Sequence, residues 1–255
     1  MTKRLAAIWT TFLLLVACAN VAAAKSPREY ATGVKDYALS PLHWDSRDWQ
    51  WVGGAAAGIA TAYSLDLRVR DHFVDGTVAP GQDPMQWRDA APLAALTVGT
   101  YFVGRLRHDN GLTHTGTDMV EAVALSALSS LAIKTVVART RPNETADRAD
   151  WRNGGDSMPS LHVSAAFAAA RVFADRMPRE QWGWRMLAYG LAGATAYARL
   201  DSNVHWLSDT VAGATLGLAT GRFVSGRGAE SHSPVSMMIV PVDHGALLTF
   251  SLDSR

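Results

Sequence analysis

Cysteine is all but missing from this chain, with Cys18 standing alone among 255 residues. No disulfide framework can staple the fold, so its stability rests on a packed core. An excess of charge of one sign is missing too: 24 lysines and arginines face 23 aspartates and glutamates, a formal charge of +1. A chain this close to neutral has no overall field for nucleic acid or an anionic surface, so anion recognition must come from a local cation cluster. Apolar runs of spanning length, about 20 residues, are absent as well. Pro92–Gly104 is bounded by Arg88, Asp89 and Arg105, Ala122–Ile133 by Glu121 and Lys134, and Met186–Ala198 by Arg185 and Arg199. Their Ala/Gly content and the near-zero mean hydropathy suit a soluble or peripheral bundle whose helices pack closely, with membrane contact but no span. His43, His72, His108, His114, His232 and His244 show no metal-ligand spacing. No repeat and no Pro/Gly/Ser-rich linker divides the chain.

What is present begins with an export signal. Lys3 and Arg4 precede an apolar stretch from Leu5 to Cys18, and Ala22-Ala23-Ala24 supplies small residues before Lys25. Residues 1–24 are expected to be cleaved, which turns the formal charge from +1 to −1 and places the mature chain, 25–255, in the periplasm. Leu15-Val16-Ala17-Cys18 offers a second outcome, a lipid anchor on Cys18. The small apolar residues continuing to Ala24 favour cleavage there.

The mature chain reads as one mostly helical domain. Ser26-Pro27 is an N-cap with proline at the first helical position, opening a helix to about Ser40. Further helices are expected over Asp45–Asp75, Met85–Arg107, Thr117 or Asp118 to Arg139, Ser160–Arg176, Arg179–Tyr197 and Trp206–Phe223. Thr77–Pro84, His108–Gly116 and Arg141–Ser157 read as loops. Val235–Ser251 has β-branched and aromatic residues around Asp243-His244-Gly245, the pattern of a short β-hairpin.

Three clusters carry chemistry. Lys134 and Arg141-Pro142 are seven apart, two helical turns, and would project two cations from one helix face. Alone, this pair reads more simply as a basic helix end complementing the macrodipole. Pro159-Ser160-Leu161-His162 stands where a polar loop meets a helix, whose N-terminus offers free N–H groups and a positive dipole end to an anion. Alone, it reads as an N-cap followed by a packed histidine. Arg199, His205 and Asp209 come third; His205 and Asp209 are four apart, so on a helix the carboxylate can orient the ring. Alone, these two are as easily a structural pair.

In this order, Lys–Arg–Pro, Pro–Ser–x–His and Arg–His–Asp resemble the signature of the type 2 phosphatidic acid phosphatase/vanadium haloperoxidase superfamily. That superfamily includes the class A bacterial acid phosphatases and the lipid phosphate phosphatases. The resemblance implies an all-α compact helical bundle and a metal-independent phosphatase acting on small phosphomonoesters or lipid phosphates. Lys134, Arg141, Arg199, Ser160 and the Leu161 N–H would bind the phosphoryl oxygens. His205, oriented by Asp209, would be the nucleophile that becomes phosphohistidine, and His162 the proton donor. No cofactor is implied, vanadate acting as an inhibitor. The rival readings are a vanadium-dependent haloperoxidase, where vanadate is the cofactor, and a catalytically weak phosphate-binding envelope protein. Leu161 stands where the family has glycine and Ala198 where it has serine, so substrate range is the open point. Trp151 and Arg152, in the loop between the first two clusters, are candidates for substrate contact. Nothing in the sequence speaks to oligomeric state.

Overall fold

The computed structural model describes residues 26–74, 87–227, 235–242 and 245–252. The expected signal at 1–24 and the Thr77–Pro84 loop lie outside the described residues. Among the described residues, seven α-helices form the body: α1 (Pro27–Leu39), α2 (Ser46–Phe73), α3 (Trp87–Leu106), α4 (Asn110–Val137), α5 (Leu161–Arg176), α6 (Trp182–Asp201) and α7 (Leu207–Gly226). Two antiparallel strands follow, β1 (Val235–Val242) and β2 (Gly245–Leu252), in register from Val235 opposite Leu252 to Val242 opposite Gly245.

Local chemistry sets the helix starts. Ser26 and Glu29 form a reciprocal capping box, with Pro27 at the first helical position. Asp45 caps α2 by accepting the N–H groups of Arg47 and Asp48 at 2.8 and 3.0 Å.

At α4 the structure corrects the sequence reading. The helix begins at Asn110, not at Thr117 or Asp118, because Asp109 accepts the Leu112 N–H at 3.0 Å and caps it. Gly116, read as part of a loop, lies inside this helix. A Cβ there would stand 2.6 Å from Tyr101 Cβ, so the glycine lets α3 and α4 approach closely. The longer α4 is apolar enough to cross a membrane, the one such helix among the described residues. The charges at and near the bounds of the shorter stretch lie within the helix and have partners. Asp118 meets Arg176 at 2.9 Å, Glu121 meets Arg227, and Lys134 turns into the site.

α5 is the central element. Ten of its 16 residues are buried, mostly alanines, which pack with Met119, Ala122 and Leu125 of α4, Ala188 and Ala192 of α6, and Val224 of α7. Its broadest contact is with α7. Gly213, Gly217 and Gly221 of α7 are spaced one turn apart and face the α5 backbone at Ser160, Ser164 and Ala168. A Cβ at Gly213 or Gly221 would lie 2.6 or 2.7 Å from a carbonyl oxygen. Any side chain would therefore wedge the two helices apart.

The outer faces differ from the core. α2 buries only Ala62 and Asp66, leaving Trp49 and Trp51 more than half exposed. Leu128 and Leu131 of α4, and Trp182 and Met186 of α6, are also turned outward.

Candidate active site

The end of α4, the start of α5 and the turn joining α6 to α7 converge. Lys134 lies in the last turn of α4, where its ammonium donates to the carbonyls of Asp156 and, at 3.4 Å, Ser157. Ala138, in the left-handed region at φ 45°, ends that helix. Arg141 therefore reaches Lys134 from the following loop rather than from the same helix face, as the seven-residue spacing suggested. Its guanidinium forks onto Asp156 at 2.7 and 2.9 Å and donates to the Val204 carbonyl at 3.0 Å. Arg199, fully buried in the last turn of α6, adds a third cation to the field at Lys134.

Ser160 takes the N-cap position of α5, yet its side chain makes no capping bond. The hydroxyl is buried and has no hydrogen-bond partner among the described residues, while its N–H donates to the Asp209 carbonyl at 3.0 Å. A buried hydroxyl beside free helix N–H groups is a donor set suited to an oxyanion. Leu161 and His162 occupy the first turn of α5, both half-buried.

His205 precedes α7 rather than lying on it, with Trp206 between it and the first helical residue. Its Nδ1 is 3.7 Å from Asp209 Oδ2, an ion-pair distance short of a closed hydrogen bond. Burial pushes the imidazole down to about 3, outweighing Asp209, and the charges of Arg141 and Lys134 act in the same direction. The ring is therefore neutral, the state a nitrogen nucleophile needs. Burial also lowers Lys134, to about 8, with Arg141 adding to the effect. For Asp209, burial alone would raise the carboxyl; His205, Arg139 and Ser157 outweigh it and keep it anionic. Asp156 is lowered chiefly by its bonds to Arg141.

Behind Asp209 lies a network that the sequence reading did not single out. Arg139, fully buried, donates to Asp209 Oδ1 at 2.7 Å, to Ser208 Oγ at 2.8 Å and to Asp66 Oδ2 at 2.8 Å. The rings of Trp151, Trp206 and Tyr63 surround the guanidinium, with Trp151 closest at 4.4 Å. Trp151 thus covers Arg139, while Arg152 is exposed in a left-handed conformation at φ 57°. The loop read as surface is exposed over most of 144–156 and buried at both ends, Arg141 and Ser157. Ser157 Oγ and the Trp206 N–H both donate to Asp209 Oδ2, the latter at 2.9 Å. One signal in the sequence pointed here: Asp66 closes the long uncharged stretch from Trp49 to Leu65, and a carboxylate set between two leucines at its end needs a partner if it is buried. For Arg139, Ser157 and Ser208 no pattern distinguishes them from their neighbours.

The arrangement can hold a tetrahedral dianion among three cations and present it to a neutral imidazole backed by a carboxylate. The sequence model of the PAP2 superfamily matches residues 115–228, a span containing all three motif clusters. The chain is similar to the lipid A 1-phosphatase of Porphyromonas gingivalis, 34% identical over 84 residues, which cover 32% of this chain and 17% of that protein. The match thus spans under a fifth of the relative's length. No solved structure matches the chain.

Proposed function

Since the chain belongs to the PAP2 superfamily through residues 115–228, we propose that it is a phosphatase that removes phosphate from lipid phosphates by way of a phosphohistidine on His205. One observation carries the reading: Lys134, Arg141 and Arg199 gather around a buried, neutral histidine with an anionic aspartate behind it. Simple anion binding needs the cations but not that pair.

The three cations and the Ser160 hydroxyl hold the phosphoryl oxygens and balance the charge that builds in flight. Asp209, 3.7 Å from Nδ1 in the structure, closes to accept a hydrogen bond from the Nδ1–H of His205, which keeps its proton and leaves Nε2 to attack phosphorus in line with the leaving oxygen. As the P–N bond forms, the P–O bond to the alcohol breaks and His162 gives that oxygen a proton. Water then attacks the phosphohistidine, His162 takes its proton, and inorganic phosphate departs as His205 returns to neutral. Arg141 must exchange its bond to Asp156 for one to phosphate.

Two observations favour lipid over small soluble esters. Leu161 places an apolar side chain at the first turn of α5, beside the phosphate-binding hydroxyl. Large apolar residues also point outward on α2, α4 and α6, a pattern that marks membrane or partner contact. The similarity to a lipid A 1-phosphatase points the same way.

The test is phosphate release from phosphatidic acid and from lipid A in detergent micelles, using the full chain. Turnover is expected to survive EDTA, to be blocked by vanadate, and to fall at least about a thousandfold in His205→Ala. Wild-type turnover in His205→Ala would overturn the mechanism. Hydrolysis of p-nitrophenyl phosphate with neither lipid cleaved would overturn the substrate class.

A further inference from the structure

Asp66 reaches the site from α2, outside the residues that match the family. Its two oxygens are fully used. Oδ1 accepts the Ser208 N–H at 2.8 Å, while Oδ2 accepts the Ser208 hydroxyl at 2.7 Å and Arg139 at 2.8 Å. Ser208 is the second residue of α7 and the immediate neighbour of Asp209. Its N–H is one of the helix-start donors that lack a partner within the helix, so Asp66 caps α7 from another element. Arg139 joins the two carboxylates, one through each terminal nitrogen, and all three side chains are 0% exposed.

Geometry and charge work together here. Asp66 and Asp209 each accept three hydrogen bonds in a dry setting, where a closed polar network fixes one conformation. With Arg139 shared between two anions, the cluster retains one net negative charge behind His205. Were Asp66 neutral, Arg139 would neutralise Asp209 alone, and the carboxylate would lose much of its pull on the imidazole proton. The Nδ1–H tautomer, which leaves Nε2 free to attack, depends on that pull.

We propose that Asp66 is a positioning residue for the phosphoryl transfer: through Arg139 and Ser208 it aims an anionic Asp209 at His205 and holds the ring in its Nδ1–H tautomer. The inference rests on His205 being the nucleophile, and its first readout needs no turnover. In 15N-histidine-labelled protein, His205 is expected to show the Nδ1–H tautomer in the wild type, with Asp66→Asn shifting a substantial fraction to Nε2–H. With phosphatidic acid in micelles, Asp66→Asn is expected to lower kcat about 10- to 100-fold while KM stays within about twofold, and Asp66→Glu to recover part of the loss. Ser208→Ala, which keeps every charge, serves as the second variant should Asp66→Asn fold poorly, and is expected to move both readouts less but in the same direction. An Asp66→Asn protein with an unchanged tautomer, or a wild type already in the Nε2–H form, would overturn the proposal. So would a loss of kcat no greater than the loss of folded protein measured by circular dichroism. Failure of the His205 mechanism itself appears separately, as turnover that survives His205→Ala.

Discussion

Lys134 is held as a cation where burial opposes one, its ammonium satisfied by main-chain carbonyls and faced by a second cation, Arg141. Its pKa of about 8 has a direct consequence. In the proposed mechanism the side chain is charged below that value and grips phosphate; as pH rises through it, the proton leaves and the grip weakens. The pH profile of kcat/KM should therefore carry an alkaline limb near pH 8, and that of kcat a higher one, because bound dianion holds the proton on. Lys134→Arg keeps its charge far above this range, so its lower rate should show no limb near pH 8. A limb that persisted in that variant would belong to another group. On the acid side, His205 stays neutral down to about 3 and does not set the limit. At this scale the sequence singled out Ser160, His205 and Asp209 by their spacing, and the structure brings the three together. The sequence was silent where an ordinary arginine, Arg139, owes its role to a partner 73 residues away.

Between helices, the smallest side chains decide the packing. Gly213, Gly217 and Gly221 let α7 lie against the α5 backbone, and they set the register in which the Ser160 N–H meets the Asp209 carbonyl. Gly217→Val should cost about 2 kcal/mol or more, through overpacking against the Ser164 carbonyl, and should lower turnover with it. Gly190→Ala is the contrast: nothing lies within 4 Å of a Cβ there, so the variant should gain up to about 1 kcal/mol of helix propensity. Thermal unfolding of the two variants checks both signs. Glycine also explains the misplaced start of α4. A Gly-containing polar stretch, His108–Gly116, looks like a loop when read locally, and only the Tyr101 contact gives Gly116 a packing role. Helix existence followed from apolar stretches set between polar loops; the extent of α4 followed from a cap at Asp109 and a tertiary contact at Gly116.

Across the molecule, three helices carry long uncharged stretches. No charged residue falls between Asp48 and Asp66 of α2, between Glu121 and Lys134 of α4, or between Arg185 and Arg199 of α6. Each of these three stretches is apolar and partly outward-facing. The lipid-phosphatase reading then predicts that the protein sediments with membranes and is released by detergent but not by high salt, because the attraction is apolar rather than ionic. Release by salt alone would limit membrane contact to charged residues. That the chain forms an all-α bundle was readable from its alternation of apolar stretches and polar loops. Which apolar faces meet each other and which meet the surroundings was not, since alanine suits both. The seam between α5 and α7 has a last consequence. With three glycines leaving no slack, and a peptide hydrogen bond tying Ser160 to Asp209, the two helix starts are coupled, so a shift of either one displaces the Ser160 hydroxyl and the Asp209 carboxylate together.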